Sequence, residues 1–135
     1  MREPTEAGGA AGGRPAPSRP AGLAAELAAL GETPGTAATL LQFSSAFCLP
    51  CRVTRRLLAG VAEIVPGVRH IEVDAEANLE LVRRLGVEST PTVLLLDGDA
   101  VEVRRIAGAP PSRAAVLATL AAVLDERPAD RRPAE

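Results

Sequence analysis

Tryptophan, tyrosine and lysine are absent from this sequence of 135 residues, and it has only two phenylalanines, two cysteines and one histidine. With so few aromatics, the core has to be built from Leu, Val, Ile and Ala. Two cysteines and one histidine are too few for a single-chain structural zinc site, which needs about four ligands, so no metal is expected. No window approaches the length and apolarity of a membrane span. The first twenty residues are mostly Gly, Ala, Pro, Arg and Glu, without the apolar stretch of a signal peptide. The expected setting is therefore cytoplasmic, with no membrane association. A net charge of −2 gives no cue for a nucleic-acid partner. All fifteen basic residues are arginine; with the heavy use of alanine this reads as coding bias and carries no functional inference.

The stretch that is informative runs from Thr39 to Ile64. An apolar segment (Leu40, Leu41, Phe43) ends in two serines and an alanine. Phe47-Cys48-Leu49-Pro50-Cys51 follows, and a helical pattern begins there. This predicts a strand, a short turn and a helix, with a Cys-x-x-Cys pair at the helix start. A cysteine in that place meets the positive end of the helix dipole and free backbone N–H groups, which favour thiolate over thiol. The thiolate is the species that attacks disulfides. The second cysteine, one turn on, is close enough to close a ring on the first. Inert readings stay open at this point: a structural disulfide, or two unconnected core cysteines.

Along the chain, residues 1–21 are rich in Gly and Pro and predict a disordered tail. Residues 22–125 read as one domain, and 126–135 as a frayed C-terminal tail. Leu23, Leu27 and Leu30 share one face of a short helix ended by Gly31. Thr39 to Phe43 is expected to be a central strand buried on both faces. The helix after the cysteines is expected to bury Val53, Leu57, Val61 and Ile64, with Arg52, Arg55 and Arg56 opposite. That arginine trio is either a solvated face or a guide for acidic partners. Val68 to Val73 alternates as a strand, and Asp74 is expected to cap a helix that Gly86 ends. The strand Thr92 to Leu96, a turn at Asp97-Gly98 and a partner strand Val101 to Ile106 form a hairpin. Ser112 caps a last helix whose inward residues are Val116, Leu117, Leu120 and Leu124. The order αβαβαββα predicts an α/β fold. Strand–helix–strand units give parallel pairs, and the hairpin adds an antiparallel strand. The expected architecture is a mixed central sheet of about four strands with helices on both faces.

That order, with Phe-Cys-x-Pro-Cys at a helix start and the Thr90-Pro91 pair before a later apolar strand, resembles the thioredoxin family over residues 37–124. The resemblance implies that Cys48 is the exposed nucleophile and Cys51 the buried resolving cysteine. It implies a cis bond before Pro91, backbone pairing of Thr90 with substrate peptides, and a groove-lining role for Gly108. Phe47, Leu49 and Pro50, around the cysteines, complete the implied substrate-binding set. Several positions depart from the family pattern. Leu49 stands where reductases commonly carry glycine, in the dipeptide that tunes reduction potential. Gln42 replaces a buried acid and His70 replaces the lysine that accompanies it, which makes these two the proton-transfer candidates. The family's first strand is not evident before Leu23.

The resemblance implies a thiol–disulfide oxidoreductase that acts on disulfide-containing protein substrates through the Cys48/Cys51 pair. It needs no cofactor beyond that redox-active disulfide and is recharged by a partner such as thioredoxin reductase. Two other functions fit the same sequence. One is electron donation to a single client, such as an apocytochrome or a peroxidase. The other is a non-catalytic binding module using the Thr90-Pro91 groove.

Overall fold

A computed structural model describes residues 21–125. The expected tails at 1–21 and 126–135 lie outside this range except for residue 21. Eight elements follow one another. They are α1 (Ala24–Ala29), β1 (Ala38–Ser44), α2 (Leu49–Ile64), β2 (Val68–Asp74), α3 (Leu79–Leu85), β3 (Thr92–Asp97), β4 (Glu102–Ala107) and α4 (Arg113–Asp125). Four strands form one sheet in the order β2-β1-β3-β4. β1 runs parallel to β2 and antiparallel to β3, and β3 is antiparallel to β4.

The expectation that both strand–helix–strand units give parallel pairs holds only for β1-α2-β2. β3 lies on the other side of β1 and runs against both earlier strands. Helix lengths supply the reason. The sixteen residues of α2 span about 24 Å, enough to carry the chain back along a seven-residue strand of about 23 Å. The seven residues of α3 span only about 10 Å. The chain therefore re-enters the sheet at the end it left, and Thr92 pairs with Phe43 while Ser44 pairs with Asp74.

Alternation along the strands divides the core into two layers. Leu41, Phe43, Ile71, Val73, Leu94 and Leu96 pack on Leu23 and Leu27 beside α1 and on Leu81 and Val87 around α3. Leu40, Val68, Val93 and Leu95 pack on α2 through Leu58 and Val61, and on α4 through Val116, Leu120 and Val123. β1 is buried along its whole length, as a central strand covered on both faces should be. β4 is a mostly exposed edge that carries Arg104 and Arg105, charges that discourage strand addition.

Local chemistry at the helix ends differs from expectation at one site. Asp74 does not cap α3. It closes β2, and its Oδ1 accepts the backbone N–H of Glu76, which makes a turn that delays the helix to Leu79. Gly86 ends α3 in the left-handed conformation, and Ser112 Oγ accepts the Ala115 N–H at the start of α4.

The buried face of α2 is also rotated from the expected one. Cys51, Thr54, Leu58 and Val61 are buried, while Val53 is 50% exposed and Ile64 lies in solvent. The helix carries apolar residues at two competing spacings. The one that wins keeps Cys51 and Leu58 against β1 and β2. Leu58→Ala is therefore expected to cost about 2–5 kcal/mol in unfolding free energy, and Val53→Ala no more than about 0.5 kcal/mol. Denaturant titration of the oxidised protein measures both, and comparable losses would contradict this helix rotation.

Candidate active site

The site is assembled at the C-terminal ends of β1 and β2. β1 ends at Ser44, and the turn through Ser45 and Ala46 brings Phe47 into left-handed backbone with φ of 58°. That residue is 99% exposed. Cys48 then occupies the N-cap of α2 with extended backbone. Its sulfur accepts the N–H of Cys51 at 3.2 Å, the role that serine or aspartate usually fills. Pro50 is tolerated in the first turn, where N–H groups lack helical partners. Cys48 and Cys51 are joined as a disulfide, with their Cα atoms 5.2 Å apart. Cys48 is partly exposed, whereas Cys51 is 1% exposed.

The second wall comes from the loop before β3. The Thr90–Pro91 bond is cis. Thr90 Oγ1 and Ser45 Oγ share a hydrogen bond of 2.8 Å, which ties this loop to the one carrying the cysteines. The Gly108 N–H donates to the Pro91 carbonyl at 3.0 Å and brings the end of β4 to the same place. The residues expected from three distant parts of the sequence thus meet at one end of the sheet. Leu49 and Pro50 are exposed beside Cys48. A shallow, largely apolar cleft of about 210 Å³ opens between Ser45 and Thr90 and is bordered by Leu79, Val82 and Val87.

Beneath the disulfide lies Gln42, fully buried on β1. Its Nε2 donates to the carbonyl of Cys51 and to Ser44 Oγ, both at 2.9 Å. Its Oε1 accepts from His70 Nε2, also at 2.9 Å. An amide oxygen cannot donate, so His70 must carry a proton on Nε2. Every hydrogen-bonding atom of the Gln42 amide is thereby used, which is what a buried polar group requires. Burial pushes the His70 pKa below its ordinary value of 6.5; neighbouring Glu72 opposes this and Arg55 adds to it.

Sequence reasoning did not single out Ser44, Ser45 or the Arg55–Glu72 pair. Val68, His70 and Glu72 alternate onto the face of the sheet that α2 covers, which puts Glu72 beside Arg55. The guanidinium grips the carboxylate at 2.7 and 3.1 Å. Burial raises the Glu72 pKa, but hydrogen bonds from Arg55 and Ser44 outweigh it, and the net shift is downward. With Ser44, Ser45, Ala46 and Asp74 these two residues line a cleft of about 300 Å³ behind the cysteine loop. Strand alternation was the one signal in the sequence that could have located the pair.

Two measurements check this geometry. In the reduced protein, limiting alkylating reagent is expected to label Cys48 before Cys51; equal or reversed labelling would refute the difference in exposure. His70 is the only histidine, so its proton resonance needs no assignment. It is expected to titrate with a midpoint below 6.5. The sign follows from linkage: a base whose folded pKa is depressed contributes stability that is present above its unfolded pKa and is lost as pH falls through that value. His70→Asn is expected to flatten the fall in stability just below pH 6.5.

The thioredoxin family model matches residues 32–122. Thioredoxin H-type from Oryza sativa subsp. indica is 30% identical over 70 residues, 52% of this chain and 57% of that protein. Thioredoxin H-type 1 from Nicotiana tabacum is 31% identical over 70 residues, 52% of this chain and 55% of that protein. The matches thus span little more than half the length of these curated relatives. Among solved structures, a mutant thioredoxin from Halobacterium salinarum NRC-1 has the same fold, with a TM-score of 0.62 at 22% identity over 69% of this chain and 80% of that one. With its family match covering most of the described residues and the Cys48–Cys51 pair seated at the start of α2, this chain belongs to the thioredoxin family.

Proposed function

We propose that this protein is a thiol–disulfide oxidoreductase acting on disulfides of protein substrates. The observation that carries the reading is the division between the two cysteines. Cys48 is open to a partner at a helix N-terminus, and Cys51 is buried one turn away within bonding reach. In the reduced protein the Cys48 thiolate attacks one sulfur of a substrate disulfide. The S–S bond breaks, the other substrate sulfur leaves as thiolate, and a mixed disulfide forms. Cys51 then loses its proton and attacks Cys48 Sγ. The second substrate sulfur departs and the Cys48–Cys51 disulfide closes. Two electrons have passed to the substrate. A partner reductase returns two electrons and two protons, so the cycle needs no bound cofactor or metal. We place it in a reducing, cytoplasmic setting, where such a pair is kept turning over.

Around this chemistry we assign the substrate-binding roles to Phe47, Leu49, Pro50, Thr90, Pro91 and Gly108. Thr90 offers its backbone to an extended substrate segment, and the neighbouring apolar cleft at Leu79 and Val87 takes one of that segment's side chains.

Proton handling we assign to His70 with Gln42. Cys51 must give up its proton where solvation is poor, and burial opposes thiolate formation. A neutral imidazole whose Nε2–H is committed to Gln42 keeps Nδ1 as its basic atom. The Gln42 amide does not titrate; it fixes the histidine tautomer and holds the Cys51 peptide.

Reduction of a protein disulfide such as those of insulin, driven by dithiothreitol, tests the proposal. Wild type is expected to accelerate the reaction, and Cys48→Ser to lose the acceleration entirely. Cys51→Ser is expected to stall as a mixed disulfide that can be isolated. Full activity in Cys48→Ser would end the reading. For the proton, His70→Ala is expected to change the pH profile of turnover and Gln42→Asp to add a new titration to it; an unchanged profile in His70→Ala would remove the histidine from the mechanism.

A further inference from the structure

Helix α2 turns its outer face away from the core, and that face has an unusual composition. Leu49, Val53, Arg56 and Gly60 follow one another at i, i+4, i+7 and i+11 and form a single line along the solvent side. Leu49 is 62% exposed, and Val53, one turn on, is half exposed. At the active-site end the line runs into Phe47, which no contact shields.

The charge along this line is one-sided. Among the described residues, Arg55, Arg69, Arg84 and Arg105 each meet a carboxylate. Arg52 and Arg56 meet none. Arg113, at the start of α4, is unpaired as well, and its Nη1 lies 3.9 Å from where a Cβ on Gly60 would sit. Two guanidinium groups on α2, Arg52 and Arg56, thus follow the nucleophile, and Arg113 of α4 lies beside Gly60 farther along the same face. α2 has a single carboxylate, Glu63, in its last turn, and α4 has only Asp125, at its end. Glu72, the acid facing α2 from β2, is used by Arg55. In a chain of net charge −2 this is a local positive field beside the reactive sulfur.

We infer that the outer face of α2 is a docking surface for an acidic protein partner, one that presents an apolar side chain and flanking carboxylates next to its redox-active sulfur. Phe47, Leu49 and Val53 take the apolar contact, and Arg52, Arg56 and Arg113 supply the complementary charge. The inference rests on the oxidoreductase reading and adds the partner's chemical class. Unpaired surface charge of this kind acts mainly on selection and association rate, and both weaken with salt.

The test uses the full chain and labelled peptides that share one cystine loop and one leucine, with either glutamate or lysine flanks. Binding to the oxidised protein reads docking, and kcat/KM with the reduced protein reads turnover. The glutamate peptide is expected to be favoured about tenfold in both at low salt. The preference should collapse toward unity once the Debye length falls to about 3 Å in molar salt. Arg52→Gln with Arg56→Gln is expected to abolish most of the preference, and Arg52→Glu with Arg56→Glu to invert it. Because the readout is a ratio, a general loss of activity in a variant does not disturb it. Equal binding of the two peptides, or a preference that survives charge reversal, overturns the docking surface. Binding of a DNA oligonucleotide as tight as that of the glutamate peptide overturns it too, since the face would then be a general polyanion site. Selective binding without turnover of either peptide would instead leave the surface standing and remove the oxidoreductase reading.

Discussion

The active end of this protein depends on how α2 is rotated about its own axis. Cys51, Thr54, Leu58 and Val61 go inward together, and Leu58 and Val61 lock the helix onto β1, β2 and α4. With that rotation set, little freedom is left at the helix start. Cys48, three residues before Cys51, is lifted to the N-cap and into solvent. Arg55 swings toward Glu72 at the helix edge, and Arg52, Val53 and Arg56 are turned outward. A helix turned by one residue would place Arg52 where Cys51 now lies, a buried charge that apolar packing cannot compensate. Packing in the core is thus what separates an accessible sulfur from a protected one.

Gln42 is the polar counterpart of this packing. A fully buried amide is tolerable only if all its hydrogen-bonding capacity is met. Here the partners are Ser44, the Cys51 carbonyl and His70. The arrangement connects the central strand, the first turn of α2 and the edge strand β2. A carboxylate in the same place would face a steep desolvation penalty and would bring a charge to the buried cysteine. The neutral amide avoids that penalty and leaves His70, nearer the surface, as the titratable group hydrogen-bonded to it. The family positions that Gln42 and His70 replace made the two residues proton-transfer candidates, and the structure joins them by a hydrogen bond. The commitment of both amide hydrogens had not been expected, because it depends on the rotation of α2.

Legibility in the sequence followed the physical range of each signal. Cys48 and Cys51 could be placed at a helix start because strand, turn and helix boundaries are written locally in apolar runs, glycines and prolines, whereas Thr90, Pro91 and Gly108 were assigned to the site only through the resemblance to the thioredoxin family. The four strands and their order in sequence were legible from the same local boundaries. Strand direction was not, because it depends on the length of α3 relative to the sheet, and the start of that helix was misplaced by the turn at Asp74. The face of α2 was ambiguous because Val53, Leu57, Val61 and Ile64 form as good a helical stripe as Cys51, Thr54, Leu58 and Val61. Only the sheet beneath decides between them. Arg55 and Glu72, 17 residues apart, were missed because strand alternation gives the face Glu72 occupies but the rotation of α2 decides which arginine meets it.

The outer line of α2, Leu49, Val53, Arg56 and Gly60, has a composition of its own. A helix with one purpose would keep its outer face polar, since exposed valine and leucine contribute little to folding and raise the risk of association. Leu49 and Val53 are retained outside nonetheless, among arginines that have no internal partner. Arginine beside apolar surface is a composition favoured at protein interfaces, where the guanidinium desolvates more readily than an ammonium and covers apolar area with its stem. The inner stripe and this outer line therefore serve different equilibria. The inner one sets the stability of the fold and the protection of Cys51, and the outer one acts only when a partner is present. Substitutions on the outer line can change partner choice at little cost to folding, whereas those on the inner stripe change both.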